Sequence, residues 1–194
     1  MSVARDPIVR FLESFERAAA EAPFDHTAAS LATATPGGEP SVRVVLVRQF
    51  DDRGFVFFTN YASRKGDDIA ANPAGSLCFY WPWIDEMVRI EGPLTKVSPE
   101  ESDAYFAGRP RGSQIGAWAS NQSRPLSARS ELERRYFDIE RQYEGQTVPR
   151  PPHWGGYRLR PLRVEFWKAG EYRLHDRWLY TATPDGWDIE MLFP

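Results

Sequence analysis

A strand-turn-strand pattern between Val42 and Thr59 places the tightest constraint on the fold of this 194-residue chain. The run Val42–Phe50 is rich in β-branched residues, and the aromatic run Phe55–Thr59 follows it after the turn sequence Asp51-Asp52-Arg53-Gly54. Two such runs joined by a short polar turn that contains glycine are typical of a β-hairpin. Similar runs occur on both sides of this hairpin, at Ala28–Thr35, Gly75–Trp81, Met87–Lys96, Gly156–Arg160, Val164–Lys168, Trp178–Ala182 and Trp187–Met191. The chain is therefore predicted to be mainly β.

Helical patterns interrupt these strands. They are predicted after the N-cap residue Asp6, from Ser63 to Ala71, from the capping box at Ser98 to Ala107, and over Ser113–Ala119 and Ser127–Tyr143. Early hairpins, central helices and closing strands are typical of a mainly β barrel decorated by helices, an α+β architecture. The length suits a single domain over residues 1–194, in which the segment from about 150 to 194 returns to the barrel after the proline-rich Val148–Pro152.

The composition limits the cellular compartments and the binding partners that we expect for this chain. The formal net charge of −3 gives no general attraction to nucleic acid, and no apolar run approaches the roughly 20 residues of a membrane span. The segment Met1–Arg10 lacks the apolar centre of a signal peptide, and Cys78 is the only cysteine. We therefore expect a cytoplasmic protein with no nucleic-acid or membrane partner. No metal site is expected, because His26 and His153 have no Cys, Asp or Glu at metal-ligand spacing.

Two arginines flank the apolar segment of the Val42–Phe50 strand. Successive side chains of a strand point to opposite faces, so Arg43 and Arg48 are expected on different faces. The apolar residues divide in the same way, with Val44 and Leu46 beside Arg48, and Val45 and Val47 beside Arg43. Such arginines are either exposed strand ends or anion ligands, since a guanidinium can hold an anion through two hydrogen bonds.

Two further segments gather basic and hydroxyl groups near helix starts. Thr59–Lys65 ends a strand and begins a helix, where free N–H groups and the positive end of the helix dipole favour phosphate. Arg64 and Lys65 add full charges there. Tyr105–Ser113 combines a phenol, two guanidiniums and a hydroxyl across a helix break. Ordinary surface basic residues and helix capping by Ser113 are the alternative interpretations, and the spacing does not decide between them.

The segment Arg173-Leu174-His175-Asp176-Arg177 carries three basic or ionisable side chains at alternating positions. It is predicted to be a strand, in which residues two apart share a face, so Arg173, His175 and Arg177 would line one surface. Such a surface suits a ligand that carries a phosphate and an electron-rich ring. It is poorly suited to a hydrophobic core.

Together these segments resemble the pyridoxine (pyridoxamine) 5'-phosphate oxidase family, FMN enzymes of split-barrel fold. The resemblance extends from about Pro7 to the C-terminus, and five motifs occur in order with matching spacing. The motifs are Ser63-Arg64-Lys65, Arg109–Trp118 with Gln122-Ser123, Trp154-Gly155-Gly156, Glu165-Phe166-Trp167, and Arg173–Arg177. The resemblance implies an FMN-binding split β-barrel.

The resemblance also implies roles for the matching positions. FMN would be held by Arg43, Val44, Val45, Leu46, Val47, Arg48, Phe58, Thr59, Arg64 and Lys65, the last two near its phosphate. The flavin site would be completed, from the second subunit of a homodimer, by Gln122, Ser123, Trp167 and Arg177. The substrate phosphate would be bound by Arg48, Tyr105, Arg109 and Ser113. The catalytic pair over the substrate ring would be Arg173 and His175.

The implied activity is oxidation of pyridoxine 5'-phosphate or pyridoxamine 5'-phosphate to pyridoxal 5'-phosphate, with dioxygen as acceptor. Two alternatives stay open: an FMN-dependent oxidase of another small aromatic compound, such as a phenazine precursor, and a non-catalytic flavin-binding protein. Met87 stands where the family usually has a glutamine on the flavin ring, and Arg48 replaces the usual lysine. The family's basic N-terminal arm has no counterpart before Asp6.

Overall fold

The computed structural model describes residues 4–194, so the first three residues of the Met1–Arg10 segment lie outside this description. The described residues form five α-helices: α1 (Pro7–Ala20), α2 (Arg64–Ala71), α3 (Pro99–Ala107), α4 (Arg111–Ala119) and α5 (Arg129–Gln142). They also form nine strands: β1 (Ala28–Ala34), β2 (Pro40–Asp51), β3 (Gly54–Asn60), β4 (Ala74–Trp81), β5 (Glu86–Lys96), β6 (Trp154–Leu159), β7 (Arg163–Lys168), β8 (Asp176–Thr183) and β9 (Gly186–Met191). No helix in this part of the chain has the length and apolarity needed to cross a bilayer.

Six strands close into an antiparallel barrel in the order β4-β1-β2-β3-β6-β5, and β5 pairs back with β4. The long strand β5 changes partner along its length: residues 86–91 pair with β7, and residues 94–96 pair with β6. Strands β8 and β9 extend the sheet outward from β7. The predicted mainly β barrel with helices is therefore confirmed.

Helix α1 packs against the apolar interior of the barrel. Asp6 caps it by accepting a hydrogen bond from the Ile8 N–H at 2.7 Å, and Pro7 occupies its first turn. The fully buried ring of Phe11 then contacts Phe50 and Phe55 edge-on, at centroid distances of 4.9 and 4.8 Å. Each such aromatic contact stabilises the fold by roughly 0.5–1.5 kcal/mol beyond the effect of area burial, so Phe11 fixes α1 to the β2–β3 side of the barrel.

A second apolar cluster lies under helices α3 and α4, and it includes Phe106, Ile115 and Trp154 as buried members. Strand β6 begins with Trp154 and pairs with β3, where Asn60 faces Trp154 across the ladder. A Cβ atom on Gly155 would lie 2.1 Å from the Tyr61 hydroxyl oxygen, so only glycine permits this close approach. The cluster therefore fixes α3 and α4 relative to β3, whose residues also line the cavity described below.

The prediction of a strand over Arg173–Arg177 is wrong for residues 173–175. β8 begins at Asp176, which pairs with Lys168, so the intervening residues must form the connection between β7 and β8. A short 3-10 turn covers Glu171–Arg173, and Tyr172 and Arg173 have left-handed φ angles of 55° and 65°. The alternation of ionisable residues imitated a strand, but the β7–β8 register leaves these residues no ladder partner. Arg173 and His175 therefore do not share a strand face with Arg177.

Candidate active site

A cavity of about 480 Å³ opens between the β2–β3 hairpin, the start of α2, and the α3–α4 connection. Its lining residues are Val44, Val45, Leu46, Arg48, Phe58, Thr59, Lys65, Tyr105, Arg109, Pro110, Ser113, Gln122 and Trp154. All but Pro110 and Trp154 belong to the set that the sequence resemblance implies. The barrel thus brings together residues that lie far apart in the chain.

Lys65 provides a buried ammonium group at one side of this cavity. Ser63 caps α2, which places Lys65 in the first turn, where the helix dipole is positive. The Nζ atom donates to Gln122 Oε1 at 2.8 Å, Thr59 Oγ1 at 3.1 Å and Ser63 Oγ at 3.3 Å. Burial, with the nearby charge of Arg43 as a smaller cause, lowers the pKa of Lys65 to about 8. A charged donor held by neutral oxygens is arranged to receive an anion.

Arg109 provides a second cationic group, which is held by an aromatic ring. Its Cζ atom lies over the Trp154 ring, 4.6 Å from the centroid, and 5.7 Å from that of Phe106. Its Nη1 atom is buried and has no hydrogen-bond partner among residues 4–194. Burial lowers the pKa of Arg109. A buried unpaired donor is rare and costs about 1–3 kcal/mol, and an anionic oxygen in the cavity would satisfy it.

Ser113 lies beside this arginine, inside the first turn of α4. Pro110 is the N-cap of that helix, and the Ser113 N–H bonds to the Pro110 carbonyl oxygen at 2.8 Å. The alternative interpretation of Ser113 as the helix cap is therefore wrong. Since its hydroxyl is not used for capping, it is free to serve as a donor or acceptor at the cavity wall.

The two strand arginines have different surroundings. Arg48 lines the cavity and forms a half-exposed ion pair with Asp25 at 3.1 Å. Arg43 points the other way, donating to Thr33 Oγ1 at 2.7 Å and pairing with the buried carboxylate of Asp68 at 3.4 Å. Arg43 therefore lies outside the cavity lining, as does Val47, which faces the core. The expected alternation of faces along β2 is confirmed, but it removes Arg43 from the predicted anion site.

Gln122 belongs to the cavity of its own chain. Its Oε1 atom accepts hydrogen bonds from Lys65 and from Thr59 Oγ1, so the expectation that it reaches the site from a second subunit is wrong. Ser123 is exposed with a left-handed φ of 66°, and Arg64 is exposed at the start of α2. Neither lines the cavity, within the described residues.

A second group of predicted residues lies on the outer sheet face. The strand register aligns one residue from each of four neighbouring strands in a row, namely Tyr80, Met87, Trp167 and Arg177. The Arg177 guanidinium pairs with Glu165 at 2.7 Å, and Arg89 pairs with the other oxygen of this carboxylate at 2.6 Å. Glu165 is only 2% exposed, so it fixes Arg177 firmly.

The predicted catalytic pair lies next to this row, on the β7–β8 connection. The His175 ring lies 4.6 Å from the Trp167 ring, and its Nδ1 atom accepts a hydrogen bond from the Gly170 N–H at 3.2 Å. Arg173 is exposed on the left-handed turn. Among the described residues, neither the pair nor Trp167 nor Arg177 lines the cavity. The structure thus divides the predicted site into two groups.

Sequence reasoning missed three residues that shape these groups. Trp154 was quoted only as part of a motif, and Asp25 and Glu165 received no role, although they hold Arg48 and Arg177. A tryptophan followed by two glycines was the available signal for Trp154. Its contact with Arg109 depends on the packing of α3 against β6 and has no local sequence pattern.

Family models match most of the chain. Residues 15–143 match a model described as pyridoxamine 5'-phosphate oxidase, and residues 154–194 match one described as the pyridoxine 5'-phosphate oxidase C-terminal dimerisation region. A pyridoxine/pyridoxamine 5'-phosphate oxidase from Anaeromyxobacter dehalogenans is 53% identical over 193 residues, covering 100% of this chain and 98% of the relative. An enzyme of the same name from Rubrobacter xylanophilus is 57% identical over 189 residues, which cover 97% of this chain and 87% of the relative.

Solved structures agree in fold. PhzG from Burkholderia lata 383, in complex with tetrahydrophenazine-1-carboxylic acid, has a TM-score of 0.93 at 32% identity and covers 98% of this chain and 94% of its own. An FMN-binding protein from Nostoc punctiforme, described as related to pyridoxamine 5'-phosphate oxidase, has a TM-score of 0.77 at 21% identity and covers 100% of both chains. Fold and site define a flavoprotein oxidoreductase of split-barrel architecture. The chain belongs to the pyridoxamine 5'-phosphate oxidase family.

Proposed function

We propose that the protein oxidises pyridoxine 5'-phosphate or pyridoxamine 5'-phosphate to pyridoxal 5'-phosphate, with FMN as its cofactor. The observation that carries this proposal is that, among residues 4–194, two of the cations lining one cavity, Lys65 and Arg109, have no carboxylate partner. Within the described residues, Lys65 donates only to neutral oxygens, and Arg109 keeps a buried unpaired donor. Two phosphorylated ring compounds, the cofactor and the substrate, would supply one anion to each.

The cavity residues around Lys65 fit FMN. Lys65, Thr59 and Gln122 would hold the phosphate at the start of α2, where the dipole favours an anion. Val44 and Leu46, which are apolar and partly exposed on β2, offer surface for the flavin ring. Bound FMN supplies the two-electron acceptor that no amino-acid side chain provides. Arg64 and Ser123 would add polar contacts at the rim, and Arg43 would act through its charge behind Lys65.

The residues around Arg109 would bind the substrate phosphate. Arg109 brings its unpaired Nη1, Ser113 its free hydroxyl, and Tyr105 a phenol whose ring stacks on Phe58 at 3.7 Å. Arg48 would exchange its exposed partner Asp25 for the phosphate, which costs little because exposed ion pairs are worth about 0–1 kcal/mol. Fixing the phosphate in this way would orient the reacting carbon within the cavity.

Arg173 and His175 would act on the reacting end of the substrate. Arg173 presents a full positive charge to a hydroxyl or amine, and so would orient the group that loses its proton. Because the His175 Nδ1 accepts from Gly170, a neutral ring carries its proton on Nε2, and this N–H would be the donor available to the substrate. Arg177, fixed by Glu165, would stabilise negative charge on the reduced ring.

In the active site, Arg173 and His175 would come from a second copy of the chain. Residues 154–194 match the dimerisation region of the family and contain Trp167, Arg173, His175 and Arg177, so we propose a homodimer. In this proposal residues 1–194 form one domain, and the segment from about 150 to 194 completes the barrel and the active site of the dimer. Strand β6, which is part of that segment, already pairs with β3 and β5.

Dioxygen is the electron acceptor that we propose. Oxidation of the alcohol to the aldehyde releases two electrons and two protons, which together with dioxygen make hydrogen peroxide. With the amine substrate, water also enters and ammonia leaves. We propose the cytoplasm as the compartment, because Cys78 is half-buried and unpaired in a chain with no second cysteine.

Relatives favour this substrate over a phenazine precursor. Those named pyridoxine/pyridoxamine 5'-phosphate oxidase are 53% and 57% identical, whereas the structure with a bound phenazine compound is 32% identical. The cavity agrees, since Arg109 and Ser113 together make sense for a phosphorylated ligand.

Anaerobic spectroscopy tests the proposal. Purified FMN-loaded protein is mixed without air with pyridoxamine 5'-phosphate, and the visible flavin absorption is followed. We expect bleaching, and recovery of the colour when air is admitted. Pyridoxamine without phosphate is the matched control and should bleach much more slowly. Stable colour with the phosphate would show a non-catalytic flavin binder, and equal bleaching by both compounds would point to another aromatic substrate.

A further inference from the structure

We infer that Trp154 is a positioning residue that holds the Arg109 guanidinium ready for the substrate phosphate without occupying its hydrogen-bond donors. This inference rests on the proposed function, because it assigns the phosphate of the substrate to Arg109. It concerns a residue outside the set that the sequence analysis implied.

The contact between the two side chains is close and buried. The Arg109 Cζ atom lies over the Trp154 ring, 4.6 Å from its centroid, which is well within the roughly 6 Å at which a cation and an aromatic face attract each other. Trp154 is 5% exposed, so water screens this attraction weakly. Tryptophan has the most favourable ring for a cation among the aromatic residues.

The indole is itself held firmly. Phe58 lies nearly parallel to it at 11° and 5.6 Å, and Phe106 meets it edge-on at 5.1 Å. The Trp154 backbone carbonyl accepts from Arg150 at 2.7 Å, and the Trp154 backbone N–H donates to the Pro151 carbonyl oxygen at 3.0 Å. A ring constrained on these sides gives the guanidinium a fixed surface, as a preorganised binding group requires.

Among residues 4–194, three other arginines at the two groups are held by carboxylates. Arg48 pairs with Asp25, Arg43 with Asp68, and Arg177 with Glu165. A carboxylate takes hydrogen bonds from the guanidinium and therefore competes with a phosphate for the same donors. An aromatic face attracts the charge but accepts none of these bonds in the guanidinium plane. This difference accounts for the buried, unpaired Nη1 of Arg109.

A substitution series at position 154 tests the role. The variants are Trp154→Phe, which keeps a ring, and Trp154→Leu, which does not. Cation–π attraction of about 0.5–2 kcal/mol predicts that Trp154→Leu raises the KM for pyridoxine 5'-phosphate between about twofold and thirtyfold, with little change in kcat. Trp154→Phe should recover most of the loss. Trp118→Leu is the matched control, since its ring contacts Tyr143 and His153 and belongs to the same cluster.

A shape-conserving series covers the case in which Trp154→Leu fails to fold. Fluorinated tryptophans placed at position 154 withdraw electrons from the ring and weaken its attraction for a cation, while the shape stays nearly the same. We expect the KM for pyridoxine 5'-phosphate to rise with each added fluorine. A KM that does not change along this series would overturn the inference.

Equilibrium binding separates this inference from the proposed activity. The dissociation constants of pyridoxal 5'-phosphate and of pyridoxal are measured on FMN-loaded wild type and on the same variants. Loss of the tryptophan ring at position 154 should weaken the binding of pyridoxal 5'-phosphate and leave the binding of pyridoxal unchanged. Equal weakening of both compounds would mean a merely structural role and would overturn the inference. A protein that fails to oxidise either phosphate, yet shows this selective weakening, would refute the proposed activity and support the role of Trp154.

Discussion

The cavity on the barrel and the outer sheet face with its β7–β8 connection differ in how they hold their charged groups. In the cavity, Lys65 is fixed by neutral oxygens and Arg109 by an aromatic ring. On the sheet face, Arg177 is fixed by Glu165, but Arg173 is exposed on a turn with left-handed φ angles. The residues that line the first region all belong to one chain, whereas the second presents its groups outward.

This difference suggests that the cavity and the β7–β8 connection have different roles. Anion binding needs donors that are preorganised before the ligand arrives, and a closed barrel supplies them. Non-glycine residues with positive φ cost about 1–3 kcal/mol each, and such strain commonly occurs at functional sites. Tyr172 and Arg173 carry this strain side by side. The exposed connection would therefore obtain its surroundings from another copy of the chain, over whose cavity it would lie.

The largest expected effect comes from removing the exposed charge. Arg173→Ala should lower kcat by about 100-fold or more, because a charge that orients the reacting group acts mainly in the transition state. The affinity for FMN and the melting temperature should stay close to wild type, since Arg173 is exposed. Steady-state kinetics, FMN titration and thermal unfolding measure the three quantities.

Arg163→Ala is the control for this variant, because Arg163 is an exposed arginine on β7 whose nearest carboxylate, on Glu91, is 3.8 Å away. It should leave turnover unchanged. Normal turnover in Arg173→Ala would remove that residue from the reaction, and a parallel loss of bound FMN would place it in the cofactor site instead.

Mixing two inactive variants tests whether the two regions meet across copies. Arg109→Ala damages the cavity, and Arg173→Ala damages the connection. If each site combines the cavity of one chain with the connection of its partner, a mixed dimer contains one intact site. Random pairing of equal amounts then restores about a quarter of the wild-type rate at low substrate concentration, since half the dimers are mixed and each has one site.

The control is a mixture of Arg109→Ala with Ser113→Ala, two changes within the same cavity. A mixed dimer of these variants has a damaged cavity on both sides, so no rate should return. Failure of the first mixture to regain activity, after dimer exchange is shown by mass, would mean that both regions act within one chain.

Local sequence patterns predicted most of the fold. The capping residues Asp6, Ser63 and Ser98 do begin helices, because capping depends on neighbours a few residues away. The β2–β3 hairpin is also where its turn sequence predicts it, with Asp51 paired to Gly54. Such features are encoded within short windows, and tertiary contacts did not override them.

The errors concern features that only long-range pairing determines. The alternation at Arg173 and His175 looked like a strand, but the register between β7 and β8 ends at Lys168 and Asp176. The partners of Arg43 and Gln122 could not be inferred either, since Asp68 and Lys65 reach them through the packing of α2 on the barrel. The cavity residues were predicted mainly through the family resemblance, because their spacing alone left surface or capping roles open.

Proton uptake on binding provides a third, smaller test, which concerns the cavity alone. The buried Lys65 has a pKa of about 8, and a phosphate beside it would raise that value by stabilising the charged form. Below pH 8 the ammonium is already charged, so binding takes up no proton at this residue. Above pH 8 binding takes up as much as one proton, and the affinity for FMN falls by up to about tenfold per pH unit.

Calorimetric titration with FMN at pH 9, in two buffers with different ionisation enthalpies, measures this uptake. Lys65→Arg is the control, because a guanidinium stays charged throughout this range. The variant should show no uptake at pH 9 and a flatter dependence of affinity on pH. Equal uptake by wild type and variant would assign the proton to another group and leave Lys65 outside the phosphate site.

The smallest expected effect tests whether the outer sheet face touches the flavin. Met87 stands in the row with Tyr80, Trp167 and Arg177, and its thioether offers no hydrogen-bond donor. Met87→Gln would supply a donor to a polar edge of the flavin ring. One added hydrogen bond of about 0.5–1.5 kcal/mol should tighten FMN binding between about twofold and tenfold.

Fluorescence titration of the flavin measures this change. Met191→Gln is the matched control, since Met191 is exposed on β9 and lies outside the row. It should leave the dissociation constant unchanged. If FMN binds more tightly to Met87→Gln and not to Met191→Gln, the sheet face belongs to the cofactor site together with the cavity. An unchanged or weaker affinity would mean that the row lies away from the flavin edge, and that the cavity binds FMN without it.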